Sequence, residues 1–253
     1  FADEAPPNNF LLYRSLNTRF ERSCFAGADS ISVTTSETRD RYAVLFPESA
    51  GKLAVIPPLV DSPELGESAA PPPRSDRRRL VFLGRLYPSI RRPDYLLALF
   101  DSLADAPGGE RYELHFFGDS WQCEADFAPY KRMLGRSLFV HGPVPRERAL
   151  AEMRSADVLV NIGNDTRYQL PSKIVEYAMT GRPILNIVPN PDDSSAEFLK
   201  PYPAHLTLIA RPGGPTPEDL ARLREFLERP PEEMPQAVLR AGLPWQRGYP
   251  VVA

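Results

Sequence analysis

The sequence predicts a parallel, doubly wound α/β domain over residues 76–230, preceded by a partial second α/β domain. Two observations carry the prediction. Six short apolar runs recur along the chain: Leu80–Leu83, Glu113–Phe117, Leu138–His141, Val158–Ile162, Ile184–Val188 and Leu206–Ile209. Each is apolar on both faces, as a strand covered by helices on both sides must be. Between the runs lie segments with helical spacing, and strands alternating with helices give a parallel sheet.

Taken in order, Tyr13, Leu16 and Phe20 suggest a first helix. Ala28-Asp29 leads into a strand Ile31–Thr35, a second helix carries Tyr42, Leu45 and Phe46, and Leu53–Ile56 reads as a short strand. Residues 1–60 therefore amount to about one βαβ unit, too little for an independent core. Residues 57–75 are rich in Pro, Ser and Ala, and 61–75 read as a proline-stiffened linker. After the strand Leu80–Leu83, Pro93 suits a first helical position, with Leu96, Leu99, Phe100 and Leu103 on one face. Leu150 and Met153 mark another helix, and Ser172–Thr180 a further one closed by Gly181. Thr216-Pro217-Glu218-Asp219 is a cap-like start to a last helix bearing Leu220, Leu223 and Leu227, and 231–253 read as a tail.

The composition excludes several classes. With 253 residues, 42% hydrophobic and 25% charged, the chain is neither disordered nor a coiled coil throughout. Thirty basic against thirty-three acidic residues leave no excess for nucleic-acid binding driven by counterion release. No stretch approaches the roughly 20 apolar residues of a membrane helix. Cys24 and Cys123 lack zinc-ligand spacing and are expected to be reduced thiols. His115, His141 and His205 are scattered and form no ligand pair by spacing, so no metal site is expected. There is no Gly-x-Gly-x-x-Gly after a strand, no phosphate-binding Gly-x-x-x-x-Gly-Lys loop and no Gly-x-Ser-x-Gly elbow. The first residue is Phe1 rather than Met, and the 29 prolines are roughly twice the usual share of about 5%. Both point to a piece of something longer.

In open parallel sheets, ligands bind where strand ends lead into helix N-termini. Three such junctions stand out. The first runs from Gly84-Arg85 to Arg91, Arg92 and Pro93, and its guanidinium forks suit phosphate. The second runs from Gly163-Asn164 through Tyr168, Gln169, Leu170 and Pro171 to Ser172, Lys173 and Glu176. A helix start favours an anion. Lys173 and Glu176, three apart, share one helix face, while Ile174, Tyr177 and Ala178 pack on the sheet. A cation there suits a diphosphate and a carboxylate suits ribose hydroxyls. The third, His141-Gly142-Pro143-Val144-Pro145, is a stiff turn able to bracket a base, with His141 read as a hydrogen-bonded strand-end histidine.

GRLYPSIRRPDYLL, HFFGDS, HGPVPRERALAEMRSADVLVNIGN and, above all, QLPSKIVEYAMTGRPILN resemble the donor half of GT-B glycosyltransferases. The similarity is to the large retaining, metal-independent family whose bacterial members build polysaccharides, in a variant carrying Pro-Ser-Lys-x-x-Glu-Tyr. ADSISVTTSETRDRY and KLAVIPPLVD resemble the end of that family's N-terminal domain and its interdomain crossing. The resemblance implies a Rossmann-like C-terminal domain that binds a nucleotide-diphospho-sugar as substrate, with no cofactor. It places Arg85 and Arg91 on the donor diphosphate with Arg92 as neighbouring candidate, Glu176 on the ribose hydroxyls, and Gly84, Pro143 and Val144 around the nucleotide. Arg91 stands where the family usually has Lys. Tyr168 stands where the family's Glu-x7-Glu motif has its first glutamate, so Asn164, Tyr168 and Gln169 are the donor-sugar candidates, with Ser172 and Lys173 taking over donor contacts.

The implied reaction is hexosyl transfer to a saccharide or lipid-linked saccharide acceptor. Arg85, Arg91, Lys173 and the helix start at Ser172 would meet the charge developing on the leaving diphosphate. The alternatives are a non-catalytic nucleotide-sugar-binding module, or degenerate partner subunit, and a GT-B-fold epimerase. The family's acceptor domain would add at least ~100 residues before this chain. A cytoplasmic location is expected, with peripheral contact at the inner face of a membrane made through that domain.

Overall fold

The computed structural model describes residues 14–56, 76–164 and 168–229. The stretch 61–75, the tail 231–253 and Tyr13 lie outside the described residues. The chain divides into two compact units, residues 1–58 and 59–253.

The first unit contains helix α1 (Arg14–Gly27), strand β1 (Ile31–Val33), helix α2 (Ser36–Leu45) and strand β2 (Leu53–Val55), with β1 and β2 parallel. The strand at Ile31 ends at Val33, shorter than the sequence predicts, and Thr35, still extended in its backbone, serves as the N-cap of α2, its side chain accepting a hydrogen bond from the Thr38 N–H at 3.1 Å. Phe25, Tyr42 and Phe46 form a ring cluster with centroids 4.3–6.0 Å apart. Lys52 donates to the carbonyls of Ala26 and Ala28 at 2.9 and 2.8 Å, placing a cation at the carboxyl end of α1. Leu16 and Phe20, the residues that suggest α1, are 46% and 63% exposed. Their spacing identifies the helix but does not bury them.

The second unit is a six-stranded sheet with every neighbouring pair parallel. Its strands are β3 (Arg78–Leu83), β4 (Tyr112–Phe117), β5 (Leu138–Val140), β6 (Val158–Ile162), β7 (Ile184–Val188) and β8 (His205–Ile209), in the order β5-β4-β3-β6-β7-β8. Successive strand residues point to opposite faces, so the double-sided apolar runs feed two cores. Leu80, Phe82, Leu114 and Phe116 pack under α3 (Asp94–Asp105), α4 (Glu124–Phe127) and α8 (Pro217–Glu228). Val81, Leu83 and Phe117 pack on the other face with α5 (Arg146–Ser155), α6 (Lys173–Thr180) and α7 (Ser194–Leu199).

The helix ends follow sequence chemistry. Gly181 closes α6 in the left-handed region at φ 74°, where a side chain would be strained. Thr216 and Asp219 form a reciprocal capping box at α8. Pro93 sits one position earlier than predicted, as the N-cap of α3 rather than its first helical residue. β5 ends at Val140, so His141 lies just past the strand, although its N–H still donates to Phe116 O at 2.9 Å. From β3 the chain moves outward to β4 and β5, then returns to add β6 on the other side. The topological switch point is therefore between β3 and β6, where a ligand crevice is expected. No described helix is long and apolar enough to cross a membrane.

Candidate functional site

The carboxyl ends of β3, β4 and β5 and the start of α6 enclose a cleft of about 310 Å³. Gly84, Pro143, Val144, Lys173 and Glu176 all line it, together with Phe117, Gly118, Arg146 and Met153. Residues from all three predicted junctions thus meet in one cavity.

Backbone bonds hold this rim together. Gly84 N–H donates to Phe117 O at 2.9 Å, and Gly118 N–H to Gly142 O at 2.8 Å. Gly118 is at φ 120°, and a Cβ there would stand 2.0 Å from Gly84 O. Only glycine allows the two strand ends to approach so closely. The position of α6 is fixed by Tyr177, whose fully buried hydroxyl accepts from Leu83 N–H at 3.0 Å and donates to Leu83 O at 3.1 Å. Burial drives that hydroxyl's pKa strongly upward, so it remains a neutral O–H able to play both parts.

With Tyr177 seated on β3, Lys173 and Glu176 project from the adjoining face, their charged atoms 3.7 Å apart. Glu176 Oε2 is buried and accepts no hydrogen bond. Ser172 caps α6 without a side-chain hydrogen bond. A helix start, a cation and a buried acceptor facing a cleft form an arrangement suited to an anionic ligand that also carries hydroxyl donors.

The arginine loop is ordered by a small turn in which Tyr87 and Arg91 exchange backbone bonds of 3.0 and 2.9 Å. That turn resolves the register between Arg91 and Arg92. Arg91 faces the switch point, donating through Nη2 and Nε to Asn164 Oδ1 at 2.6 and 3.2 Å. Its Nη1 lies 3.4 Å from where a Gly84 Cβ would be. Burial lowers the Arg91 pKa while Tyr177, Tyr87 and Asp193 pull it back up, and the group remains a cation. Arg92 turns away to Asp126 at 3.1 Å and Asp94 at 3.8 Å, lining a separate cleft with Tyr95 and Arg211. Arg85 is exposed, its Nε and Nη2 both donating to Asp119 Oδ2, at 2.8 and 2.5 Å.

Asn164 also donates to Gln169 O at 3.4 Å, and Ser194 Oγ donates to the same carbonyl at 3.1 Å. Tyr168 is half-buried, Gln169 exposed, and neither lines the cleft. The structure therefore gathers Arg91 and Asn164 at the switch point, and Gly84, Pro143, Val144, Lys173 and Glu176 in the cleft beside it.

Sequence spacing misses one group of residues. His115 and His141, 26 positions apart, are neighbours: His115 Nδ1 is 3.0 Å from His141 Nε2, and His115 Nε2 is 3.1 Å from Glu113 Oε2. Alternate residues of a strand share a face, so the pattern Glu113-x-His115-x-Phe117 is the available signal, but placing His141 beside it requires the β4–β5 register. Among the described residues, no group of three His, Cys, Asp or Glu is arranged to hold a metal ion.

The parallel sheet with helices on both faces is an α/β, Rossmann-like fold of the GT-B kind. Residues 77–192 match the family model described as Glycosyl transferases group 1. No curated protein matches the chain. Among solved structures, it is similar to WaaG, a glycosyltransferase involved in lipopolysaccharide biosynthesis, at TM-score 0.64 and 15% identity, covering 90% of this chain and 62% of that one. Sucrose-phosphate synthase from Thermosynechococcus elongatus aligns with TM-score 0.57 and 15% identity over 97% of this chain and 57% of its own. Anabaena HepE in complex with UDP-glucose aligns with TM-score 0.54 and 15% identity over 83% and 57%. The chain spans 57–62% of the length of these three structures and 38% of that of TarM.

Proposed function

We propose that this chain is the donor-binding portion of a glycosyltransferase that transfers a sugar from a nucleotide-diphospho-sugar to a saccharide or lipid-linked saccharide acceptor. The observation that carries the reading is Glu176. It lines a cleft that begins at a helix N-terminus, and its Oε2, buried 3.7 Å from Lys173 Nζ, accepts no hydrogen bond. A buried acceptor of this kind costs about 1–3 kcal/mol while unsatisfied. The hydroxyls of a ribose supply the donors it needs.

The diphosphate then lies towards Lys173, the start of α6 and the Gly84 turn, with Arg91 beyond Gly84 and Arg85 at the loop surface. Negative charge grows on the diphosphate as its bond to the sugar breaks. Cations already held in place stabilise that charge more in the transition state than in the ground state, which is what makes them catalytic. Asn164 holds the Arg91 fork, so Arg91 is oriented before the donor arrives. The apolar wall of Phe117, Pro143 and Val144 suits a planar base. No cofactor enters this scheme. Residues 1–60 are read as the end of the acceptor-side domain and 61–75 as the crossing, in the Pro-Ser-Lys variant of the family.

A second reading, a nucleotide-sugar-binding module without transfer, is favoured by Tyr168, which stands where the family carries its first motif glutamate. Isothermal titration with nucleoside diphosphates and nucleotide sugars tests what the two readings share. One base should bind in preference to the others, and Glu176→Ala should weaken it at least about tenfold, or ~1.4 kcal/mol. Binding by none of them, or equal binding by a folded Glu176→Ala protein, overturns both readings. Sugar transfer by the full-length protein separates enzyme from module.

A further inference from the structure

The wall of the cleft that faces away from Lys173 and Glu176 is backed by a chain of polar groups for which the proposed transfer chemistry has no use. Glu113 and His115 on β4 are 9% and 7% exposed, and His141 follows β5. With Glu113 ionised and both rings neutral, one proton arrangement satisfies all three groups. His141 Nε2–H donates to His115 Nδ1 at 3.0 Å, and His115 Nε2–H donates to Glu113 Oε2 at 3.1 Å. The His141 ring in turn stacks on Phe117, with centroids 4.1 Å apart and planes 4° from parallel. His115 stacks on Phe139 at 4.7 Å. Phe117 lines the cleft, and the two residues after His141-Gly142 are Pro143 and Val144, which line it as well.

We propose that His141 is a positioning residue for this wall: locked by His115 and Glu113, its imidazole fixes Phe117 and the Pro143–Val144 turn, so that nucleobase binding depends on the charge of the histidine pair. This rests on the donor-site reading given above. The pair can take up one proton, at the exposed His141 ring, and keep its Nε2···Nδ1 bond. With both rings charged, two N–H groups face each other at 3.0 Å and the chain breaks.

The surroundings disfavour even the first proton. Around the pair stand Glu113 on β4, Arg77 3.7 Å from Glu113, Arg79 on β3, and Glu152 and Arg148 on α5. Burial is the main cause holding both imidazoles below their ordinary range; Arg79 acts in the same sense on both and Arg148 on His141, while Glu113 opposes it at His115 and Glu152 at His141. Both rings are accordingly neutral near pH 7, and the wall is intact there. The bond survives the first proton and is lost with the second, so the wall loosens only well below the ordinary histidine value of about 6.5.

Two measurements on the same proteins test this. Titration with UDP-glucose, GDP-mannose and ADP-glucose uses ligands whose diphosphate does not itself titrate across the range. The wild-type affinity for the member that binds should hold to about pH 6 and fall at least about fivefold by about pH 4.5, with circular dichroism showing that the protein is still folded there. His141→Phe keeps a ring for the stack but loses the bond to His115 and has no proton to exchange, so at pH 7.5 it should already bind at least about fivefold more weakly than wild type and change less than about twofold on acidification. His115→Gln, which can still accept from His141 and donate to Glu113, should flatten the profile in the same way. Imidazole 15N spectra of the free protein form the ligand-independent arm. They should show both rings as Nε2–H tautomers, with the Val144 methyl resonances following the histidine titration in wild type and not in His141→Phe. A pH profile unchanged in His141→Phe, tighter binding at low pH, or Val144 resonances indifferent to the histidines overturns the proposal. Failure of every nucleotide sugar to bind, with the spectra as expected, overturns the donor reading and leaves the coupling of His141 to the wall established.

Discussion

Tyr177→Phe removes a single oxygen from the centre of the second unit. That oxygen makes two hydrogen bonds, accepting from Leu83 N–H at 3.0 Å and donating to Leu83 O at 3.1 Å, at a position closed to water. Phenylalanine fills the same volume, so the change leaves no sizeable cavity. What remains is a buried N–H and a carbonyl at the end of β3 that have each lost a bond. A buried group left unsatisfied costs about 1–3 kcal/mol, but carbonyls tolerate the loss better than N–H groups, so the expected sum is ~2–4 kcal/mol. For a domain of this size that corresponds to a fall in Tm of roughly 4–16 °C. Urea unfolding followed by far-UV circular dichroism measures it, with m unchanged if only stability is altered. A midpoint within about 0.5 kcal/mol of wild type would mean that apolar packing, and not this hydroxyl, seats α6 on the sheet. The reasoning about how Lys173 and Glu176 are positioned would then fail.

Three further outcomes follow from features of the same unit. Glu152 is buried against Arg79 and Arg148; burial pushes its carboxyl up, but the two guanidinium bonds outweigh this and hold it below the usual range. The folded state therefore binds fewer protons than the unfolded one, and stability gained above the ordinary carboxylate range is lost as pH falls through it. Unfolding free energies measured at about pH 7, 5 and 4 should show a shallower acid loss in Glu152→Gln than in wild type, and parallel curves would contradict the assignment. Gly118→Ala places a Cβ 2.0 Å from Gly84 O at φ 120°, so it should yield insoluble protein or lower stability by more than ~3 kcal/mol; a soluble variant of wild-type Tm would show that the strand ends can separate freely. Thr216→Ala deletes one half of the α8 capping box and should cost about 1 kcal/mol in urea unfolding, with Asp219→Asn costing less than the double loss if the two bonds are reciprocal.

The alternation of strands and helices could be read from the sequence because both faces of this sheet are covered. Val158–Ile162 and Ile184–Val188 are buried at every position and apolar but for Asn161 and Asn186, which satisfy each other across the strands at 2.7 Å. The region of the site was legible for a related reason: in a parallel sheet the loops that follow strands are all delivered to one edge. Less legible was what depends on register. Arg91 and Arg92 are chemically identical in sequence, and only the Tyr87–Arg91 turn directs one to Asn164 and the other to Asp126. Glu113 and His115 share β4 but His141 follows β5, so their chain emerges only when Phe116 is paired with Val140. In the first unit, the spacing of Leu16 and Phe20 announces a helix, yet both are exposed, because periodicity describes a face and not what covers it.

The bond between Arg91 and Asn164 has a bearing on how the molecule reaches its working state. It joins residues 73 apart in sequence, across the seam where the sheet changes direction. β3, β4 and β5 can assemble from a contiguous stretch of chain, whereas β6 must be drawn back past them to pair with β3, and such distant closures come at a high entropic cost. A species with the first three strands formed would possess the arginine loop and the Pro143 turn but neither Asn164 nor the α6 residues in place. Ligand binding at this cleft would then be a signature of the finished sheet, silent in any half-assembled form however compact.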